Sequence, residues 1–580
     1  MSVLGIMMVW LLAVSKRHAG GPAFLHYAAP FGASDSLMQT PLEIAARFTT
    51  LDAAHPRAKR VRIDGAWIRR VDDRGDGSES APARRLDLRD FCVVPAFVDA
   101  HVHLLMAGLS LRQTDLSGVS SRADFERSIA ESAARLAKED PAGTAWLEAW
   151  GWSAEQWAAE GGAAPDRRWL AAAGSRPAIA WRMDRHACVL NDAAIRIVEA
   201  AHPGLPDLPG GEVVRDETGR PTGLFIEANA WKQVIPLVPA ASAPRKRLAI
   251  REAAAHLHRH GVAAVGSMEY ASEIRDALLP VAADEGEPLR LRIAATILDR
   301  AWPLDPGIAR ALSDEIAGAG CAREALRIIG FKAFADGTLG LRTARMLEDY
   351  ADRPGERGML VELALEGHLD AWAEAVWNAG LSPSIHAIGD EAFRRSLEAY
   401  ERLSPSDAPR LAARIEHCQT VHREDLPRVR GRMLSMQPLH RFFDGRPYER
   451  AMGAARLDRF FPFRSLLDHG ATLAFGSDWP IVEPDAIAAM RSAITGRIAD
   501  GSVFHECESI TPREALAAHT LHAAQCLGFT DAGLLAPDRR ADLVVLDRDP
   551  LEADWHQAPP KVVATIVGGV PVFDPDGLLA

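Results

Sequence analysis

Two histidines separated by one residue, His101 and His103, close an apolar run that begins at Phe97. Side chains alternate between faces along a strand, so the two imidazoles are expected to point to the same side. Paired imidazoles pack poorly in an apolar core, but they are good ligands for a divalent metal ion. One His-x-His pair is a weak signal alone, and the rest of the chain must supply further ligands.

Further candidate ligands stand at the ends of later apolar runs. His386 ends one run, His417 ends the next 31 residues on, and Asp478 follows another run 61 residues later. Lys332 lies within an apolar run, where a charged amine is expensive to bury unless its charge is changed or paired, for example with Glu269. Each residue alone has a structural explanation, since a histidine is often a packed core residue and Asp478 could cap a helix. Together, these metal-binding residue types at the ends of successive strands favour a shared metal site.

The elements that must position these residues alternate between strand-like and helical stretches, the pattern of βα units around a parallel sheet. A (β/α)8 barrel needs eight strands, and their C-terminal ends form its catalytic face. Eight strands are predicted at 93–103, 262–268, 289–297, 326–334, 382–386, 412–417, 433–437 and 471–477. A ninth apolar run, 177–181, must then belong to an insertion. The fold class predicted is α/β, a TIM-like barrel.

The remaining segments predict three further parts. Short strands and turns at both ends predict a small composite β-sandwich built from 41–90 and 533–580. The barrel takes 91–105 and 251–532, and 106–250 becomes an inserted α/β subdomain that covers the active-site mouth. The insertion holds seven of the 14 tryptophans, which fits either a lined pocket or its own core. Residues 1–40 are expected to be an N-terminal extension, whose apolar run at 3–14 is too short for a bilayer that needs about 20 residues.

Composition excludes several classes of function. The 580-residue chain has a net charge of −12, which argues against nucleic acid or an anionic membrane surface as the main partner. Its six cysteines are scattered without a CxxC pair, which suits a reducing compartment. We therefore expect a cytoplasmic protein without a stable membrane anchor, acting on a small molecule. A homodimer is the default expectation for its assembly.

Several motifs together resemble the amidohydrolase superfamily, and more closely the branch that includes N-substituted formamide deformylases. The motifs are Phe97-Val-Asp-Ala-His-Val-His-Leu104, Phe331-Lys-Ala-Phe-Ala-Asp-Gly-Thr-Leu-Gly340, His386-Ala-Ile-Gly-Asp390, Arg414-Ile-Glu-His417, Met436-Gln-Pro438, Gly476-Ser-Asp-Trp-Pro480 and Arg540-Ala-Asp-Leu-Val-Val-Leu-Asp547. They follow the order of the family and cover about 41–575. The resemblance implies a metal-dependent hydrolase barrel with a composite β-sandwich.

The resemblance also implies roles for individual residues. His101 and His103 would bind the more buried metal ion, and His386 and His417 would bind a second ion. Lys332 would be carboxylated by carbon dioxide and bridge both ions. Relatives differ in whether one or two ions bind. Mixed histidine and oxygen ligands suit zinc, with iron, manganese, cobalt and nickel as alternatives.

These groups predict the hydrolysis of a carbon–nitrogen bond in an amide or N-substituted formamide. A metal-bound water, with its pKa lowered towards about 7, would attack the carbonyl carbon as hydroxide. Asp478 would bind metal, take the proton as general base and pass it to the leaving nitrogen as general acid. The ligands leave open a cyclic amide, a carbamate, an ester or a deamination. A scaffold without activity or a Schiff base on Lys332 would leave the set of ligands unexplained.

Four further residues are candidate substrate contacts. His186, within the insertion, matches a histidine that the branch tends to keep, and it could reach over the barrel mouth or be structural. Arg342 could bind a substrate anion or hold its own loop. Gln437 and Trp479 stand at strand ends and are expected to line the pocket. Glu416, next to His417, is expected to face outward from the barrel interior.

Overall fold

The computed structural model describes residues 40–73, 83–154, 157, 161–404 and 411–580. The expected N-terminal extension, with its apolar run, lies outside these residues except for Thr40. No helix within the described ranges has both the length and the apolar character needed to cross a membrane. All six cysteines fall within these ranges, and each is a free thiol.

The strands are numbered in chain order. They are β1 (Leu42–Thr49), β2 (Arg57–Asp64), β3 (Trp67–Asp72), β4 (Arg84–Pro95), β5 (Phe97–Val102), β6 (Thr114–Asp115), β7 (Leu147–Trp152), β8 (Ala178–Arg182), β9 (Ala187–Leu190), β10 (Gly211–Arg215), β11 (Pro221–Glu227), β12 (Val262–Glu269), β13 (Arg292–Leu298), β14 (Leu326–Phe334), β15 (Ser382–Ala387), β16 (Arg414–His417), β17 (Met433–Met436), β18 (Thr472–Phe475), β19 (Leu543–Leu546), β20 (Val562–Val567) and β21 (Val570–Phe573).

The α-helices are numbered in the same way. They are α1 (Leu104–Ser110), α2 (Arg122–Glu139), α3 (Asp192–Ala201), α4 (Ala243–Arg259), α5 (Ala271–Glu273), α6 (Leu279–Ala282), α7 (Gly307–Gly318), α8 (Glu362–Leu365), α9 (Leu369–Asn378), α10 (Asp390–Glu401), α11 (Pro438–Met452), α12 (Phe463–Asp468), α13 (Ala486–Thr495), α14 (Pro512–Ala518) and α15 (Leu521–Leu527). Short 3₁₀ or π turns occupy Arg167–Ala173, Ala230–Val234, Ile235–Leu237, Ile274–Leu278, Arg423–Val429, Ala454–Arg459 and Glu506–Glu508.

Eight parallel strands form the barrel, in the order β18-β17-β16-β15-β14-β13-β12-β5. Most of their sequences are rich in apolar residues, because strands of a parallel barrel are buried on both faces. The ring closes next to β5, where the Asp478 amide donates to the His101 carbonyl at 2.7 Å and the His103 amide donates to the Trp479 carbonyl at 2.8 Å. The predicted barrel is confirmed, and the first and last strands are tied together by candidate ligands.

Two small residues allow close packing beside the site. Gly330 lies two residues before Lys332, and a Cβ atom there would collide with the Ser382 carbonyl of the neighbouring strand. Gly476 lies two residues before Asp478, and a Cβ atom there would stand 2.6 Å from the His101 amide nitrogen. Side chains at these positions would push apart the strands that carry the candidate ligands.

Strands from both ends of the chain form one seven-stranded sheet, in the order β21-β20-β19-β4-β1-β2-β3. β4 joins the two ends, because it pairs in parallel with β1 and antiparallel with β19. The predicted barrel strand 93–103 is in fact two strands, since β4 runs to Pro95 in this terminal sheet and β5 starts at Phe97 in the barrel. A single residue, Ala96, connects the two sheets.

The insertion has its own six-stranded sheet, in the order β10-β11-β9-β8-β7-β6, and the ninth apolar run of the sequence is β8. Trp152, Trp157 and Trp169 fill its core, where Trp169 meets Phe125 edge to face with ring centroids 5.3 Å apart. Other tryptophans of the insertion line the barrel cavity instead. Both explanations of the tryptophan-rich sequence therefore hold, each for different residues.

Candidate metal centre

The six predicted ligands meet at the C-terminal ends of the barrel strands. Four lie within strands and two in the segments that follow β5 and β18. All six line one cavity of about 1070 Å³, namely His101, His103, Lys332, His386, His417 and Asp478. This end of the barrel is where folds of this type carry their sites.

Asp478 is the centre of the group. Its Oδ1 atom lies 3.3 Å from His101 Nε2 and also 3.3 Å from His103 Nε2. His101, His417 and Asp478 each offer a ligand atom, and these three atoms lie within 4.8 Å of one another. His386 packs beside them, with its ring centroid 4.4 Å from that of His417. The sequence prediction that these residues come together agrees with this geometry.

Each of the four imidazoles uses one ring nitrogen to bind an oxygen acceptor. His101 Nδ1 donates to the Glu416 carboxylate at 2.7 Å, and His103 Nδ1 donates to the Met268 carbonyl at 3.2 Å. His417 Nδ1 donates to Gln437 Oε1 at 2.9 Å. His386 uses Nε2 instead, which donates to the Gly337 carbonyl at 3.1 Å. The other nitrogen of each ring is then an unprotonated ligand, as is usual for histidines that bind metals.

The arrangement around Asp478 fits a cation. His101 Nε2 and Asp478 Oδ1 are both buried, and neither has a hydrogen-bond partner within the described residues. With Nδ1 of His101 and His103 protonated, three acceptor atoms face one another without a proton between them. Ligands of a tetrahedral zinc ion, bound at about 2.0–2.1 Å, lie roughly 3.3 Å apart. The two distances from Asp478 Oδ1, to His101 and to His103, are those that a shared ion would need.

The charges of the site match this interpretation. Burial lowers the pKa of His101, His386 and His417, so these rings are neutral at pH 7. The pKa of Asp478 lies below its usual range, so its carboxyl group is ionised. Neutral imidazoles and a carboxylate are the protonation states that bind metal.

Lys332 is buried at the base of the site, 1% exposed. Burial lowers the pKa of its amine to about 8. Its Nζ atom lies 4.6 Å from the centroid of the Phe334 ring. Glu269, a partner considered from the sequence, instead accepts hydrogen bonds from the Ser267 hydroxyl at 2.7 Å and the Leu105 amide at 3.0 Å. The amine therefore loses its proton more readily than an exposed lysine, although most of it is still protonated at pH 7.

The prediction that Glu416 faces outward from the barrel interior is wrong. Glu416 is fully buried and binds both His101 and Arg414, with Arg414 Nε 2.7 Å from its carboxylate. The expectation relied on strict alternation along β16, but His417 has φ of 73° and Cys418 has φ of 46°. This left-handed backbone turns His417 into the site as well. Strained backbone of this kind in non-glycine residues is common at functional sites.

His186 brings the insertion to the centre. Its Nδ1 donates to the Glu227 carboxylate at 2.8 Å, and the Thr343 hydroxyl donates to the other oxygen of Glu227 at 2.6 Å. The His186 ring lines the cavity with its centroid 5.5 Å from that of His386. Glu227 outweighs the effect of burial and raises the pKa of His186. The structure thus brings this residue of the insertion into the cavity beside His386.

The other three candidate substrate contacts are not among the residues that line the cavity in the described part of the chain. Arg342 pairs with Asp352 at 2.6 Å and so holds its own loop. Gln437 is fully buried and orients His417. Trp479 is buried and stacks on His256 with ring centroids 4.9 Å apart. These contacts assign structural or positioning roles to all three.

His440 is a site residue that the sequence reasoning missed. It lies in the first turn of α11, lines the cavity, and has its Nε2 atom 4.0 Å from Asp478 Oδ2. Gln419 Nε2 donates to His440 Nδ1 at 3.2 Å, so the ring proton is on Nε2 and can be donated into the cavity. The signal was present in Met436-Gln-Pro-Leu-His440, two residues beyond the part of the motif considered.

Aromatic and cationic side chains form the wall above the centre. Trp231 from the insertion and Phe334 from β14 lie with ring centroids 5.6 Å apart, and both line the cavity. The Arg300 guanidinium stands over both rings, at 5.3 Å from Trp231 and 5.1 Å from Phe334. Trp146 and Trp181 line the same cavity. The wall can therefore bind an apolar or aromatic group beside the metal ligands.

Known proteins resemble this chain over most of its length. The model of the amidohydrolase family Amidohydro_3 matches residues 84–573. Protein LONG AFTER FAR-RED 3 of Arabidopsis thaliana is 31% identical over 86% of this chain and 84% of its own. N-substituted formamide deformylase of Arthrobacter pascens is 24% identical over 93% of this chain and 99% of its own. The solved structure of a metal-dependent hydrolase from Pyrococcus horikoshii OT3 has a TM-score of 0.68, with 24% identity over 90% of this chain and 100% of that one.

Proposed function

Because the chain belongs to the amidohydrolase family of metal-dependent hydrolases, we propose that it hydrolyses the carbon–nitrogen bond of an amide or N-substituted formamide. The observation that carries the proposal is the orientation of four imidazoles, three of them buried and that of His103 partly buried. Each binds an oxygen acceptor with one ring nitrogen and leaves the other for a metal ion. Histidines outside the site make such contacts singly, whereas these four line one cavity together with the Asp478 carboxylate.

The metal would be held by the six residues named above, with zinc favoured by their mixture of nitrogen and oxygen ligands. One ion would be held by Asp478, His101 and His103, and a second by His386 and His417. A bound ion of this type polarises a carbonyl group and lowers the pKa of water. Glu416 and Gln437 are positioning residues, since they fix the rings of His101 and His417.

Lys332 is proposed to carry a carbamate. Its neutral amine would attack carbon dioxide, so that an N–C bond forms and the amine proton leaves to solvent. The product replaces a buried cation with a carboxylate that has two oxygen ligands. With a pKa of about 8, roughly a tenth of the amine is neutral at pH 7, enough for this reaction to proceed.

Asp478 is the proposed acid and base. Its pKa is held below the usual range, so it is a carboxylate that can accept a proton from the attacking water and deliver it to the leaving nitrogen. His440 Nε2–H is 4.0 Å from Asp478 Oδ2, too far for a hydrogen bond to that carboxylate, but it lines the cavity and can donate to a substrate oxygen. His186, fixed by Glu227, lines the cavity next to His386 and is proposed to bind the substrate.

The substrate is proposed to be small, with an apolar or aromatic substituent on nitrogen. Trp231 and Phe334 offer ring faces next to the ligands, in a cavity of about 1070 Å³. The similarity to an N-substituted formamide deformylase supports a formyl group as the acyl part. Formyl is also the smallest acyl group, so it leaves the wall free for the nitrogen substituent.

A substrate panel tests this proposal. Zinc-loaded protein is incubated with N-aryl and N-alkyl formamides, the matching acetamides, cyclic amides, carbamates and esters, and products are identified by mass spectrometry. We expect equal amounts of amine and formate from the formamides, and none with Asp478→Asn. Turnover of esters, carbamates or cyclic amides alone would contradict the substrate assignment, but it would still support hydrolase activity. Full activity in Asp478→Asn would contradict the mechanism.

A further inference from the structure

A second group of metal-binding side chains lies outside the barrel centre. His256 and His260 are on and just after the last turn of α4, and Glu483 is in the segment between β18 and α13. Each offers one ligand atom, and these atoms lie within 4.8 Å of one another. The family resemblance gave no role to any of the three.

The sequence spacing positions the two histidines. Residues four apart on a helix project from the same face, so His256 and His260 stand one above the other. Their ring centroids are 5.1 Å apart. Two histidines at this spacing, with a carboxylate from another segment, are a common way for proteins to hold zinc.

The distances fit one ion shared by three ligands. Glu483 Oε2 lies 2.8 Å from His256 Nε2 and 3.9 Å from His260 Nε2. Ligand atoms around a tetrahedral zinc ion lie roughly 3.3 Å apart, midway between these two values. Glu483 reaches His256 as a hydrogen-bond acceptor but is too far from His260 for a hydrogen bond. An ion would join all three groups with shifts of about half an ångström.

The surroundings favour such a site. The His256 ring is held flat against Trp479, with ring planes 13° apart, so one ligand is already oriented. Glu483 is 61% exposed, which leaves an open path for an ion and room for a water ligand. Asp485 adds a second negative charge near His260.

We propose that His256, His260 and Glu483 form an outer site for a divalent ion of the zinc class. The ion would join the C-terminal end of α4 to the segment after β18. That segment carries Asp478 and Trp479, and Trp479 is the residue on which His256 stacks. An ion at the outer site would therefore stabilise the segment that carries Asp478. The proposal does not depend on which bond the enzyme cleaves.

Metal stoichiometry tests the outer site. Full-length protein with a loaded centre is dialysed against buffered zinc, and bound zinc per chain is measured for wild type, His260→Ala and Glu483→Gln. We expect wild type to bind one equivalent more than either variant. His556→Ala, which removes an exposed histidine elsewhere, serves as the matched control and should bind as much as wild type.

A thermal measurement distinguishes loss of the site from misfolding. Zinc added beyond saturation of the centre should raise Tm in wild type and His556→Ala, with no further rise in His260→Ala or Glu483→Gln. All four proteins should have the same Tm in the presence of a weak chelator. Equal zinc content in all four would overturn the proposal. An equal loss of zinc in His556→Ala would also overturn it, by showing general surface binding.

Discussion

Gln437→Leu removes one acceptor from the metal centre while every ligand stays in place. Gln437 is fully buried, and its Oε1 accepts the Nδ1–H of His417 at 2.9 Å. Leucine is close in size, so the cavity in the core should not change. The His417 ring would then lose the contact that fixes its rotation and its tautomer.

The expected effect on metal affinity follows from this one contact. Loss of an acceptor behind a ligating histidine typically weakens metal binding by about 10–100-fold, which equals about 1.4–2.7 kcal/mol. A buried N–H group without a partner costs about 1–3 kcal/mol, so the two estimates agree. Activity should fall at limiting zinc and recover at excess zinc, because the ligands and Asp478 are intact.

Competition with a chromophoric chelator measures this change on the metal-free protein. Gln437→Glu is the matched control, because it keeps an acceptor oxygen at the same position and should bind zinc at least as tightly as wild type. Circular dichroism confirms that both variants fold. Wild-type affinity in a folded Gln437→Leu protein would refute the reasoning that this acceptor orients His417 for a metal.

Three further outcomes follow from the site. Asp478→Asn should lower the rate of hydrolysis by about 10²–10⁴-fold, the usual contribution of a general acid and base; a steady-state assay with a rate near wild type would contradict its role. Lys332 is protonated below its pKa of about 8 and neutral above it, so at a constant concentration of dissolved ¹³CO2 its labelling, followed by NMR, should speed up as pH rises to 8 and level off beyond. An equal signal in Lys332→Ala would contradict a carbamate on Lys332. Treatment with a strong chelator should abolish hydrolysis and lower Tm, and zinc should restore both, whereas full activity after verified metal removal would contradict metal dependence.

The barrel could be predicted from sequence because most of its strands are buried and rich in apolar residues. The predicted strands 326–334 and 262–268 correspond to β14 (Leu326–Phe334) and β12 (Val262–Glu269). The prediction of the first strand was wrong, because only Ala96 separates β4 from β5 and the two strands form one apolar run in the sequence. A hydrophobic pattern indicates burial but not which sheet a strand joins. The end of β4 and the whole of β5 are both buried, although they belong to different sheets.

The ligands could be predicted because they stand within or directly after strands. Prediction failed where the backbone leaves the strand. The left-handed backbone at His417 breaks the alternation of side chains from which the direction of Glu416 was predicted. His440 lies in the first turn of a helix, and hydrophobic periodicity does not tell how that turn is placed relative to the barrel axis. The partners of Arg342 and Trp479 are equally set by loop geometry. Side-chain direction in such segments depends on tertiary contacts that a single sequence does not show.

The most direct test of the metal centre is the metal content of two proteins purified in parallel with zinc present. Wild type and the double variant His101→Ala/His417→Ala are compared by inductively coupled plasma mass spectrometry after passage over a weak chelating resin that strips exposed sites. We predict at least one tightly held divalent ion per wild-type chain and less than a tenth of that in the variant. Equal metal content in both proteins, or a wild type that retains no ion, would contradict the conclusion that these buried imidazoles are metal ligands.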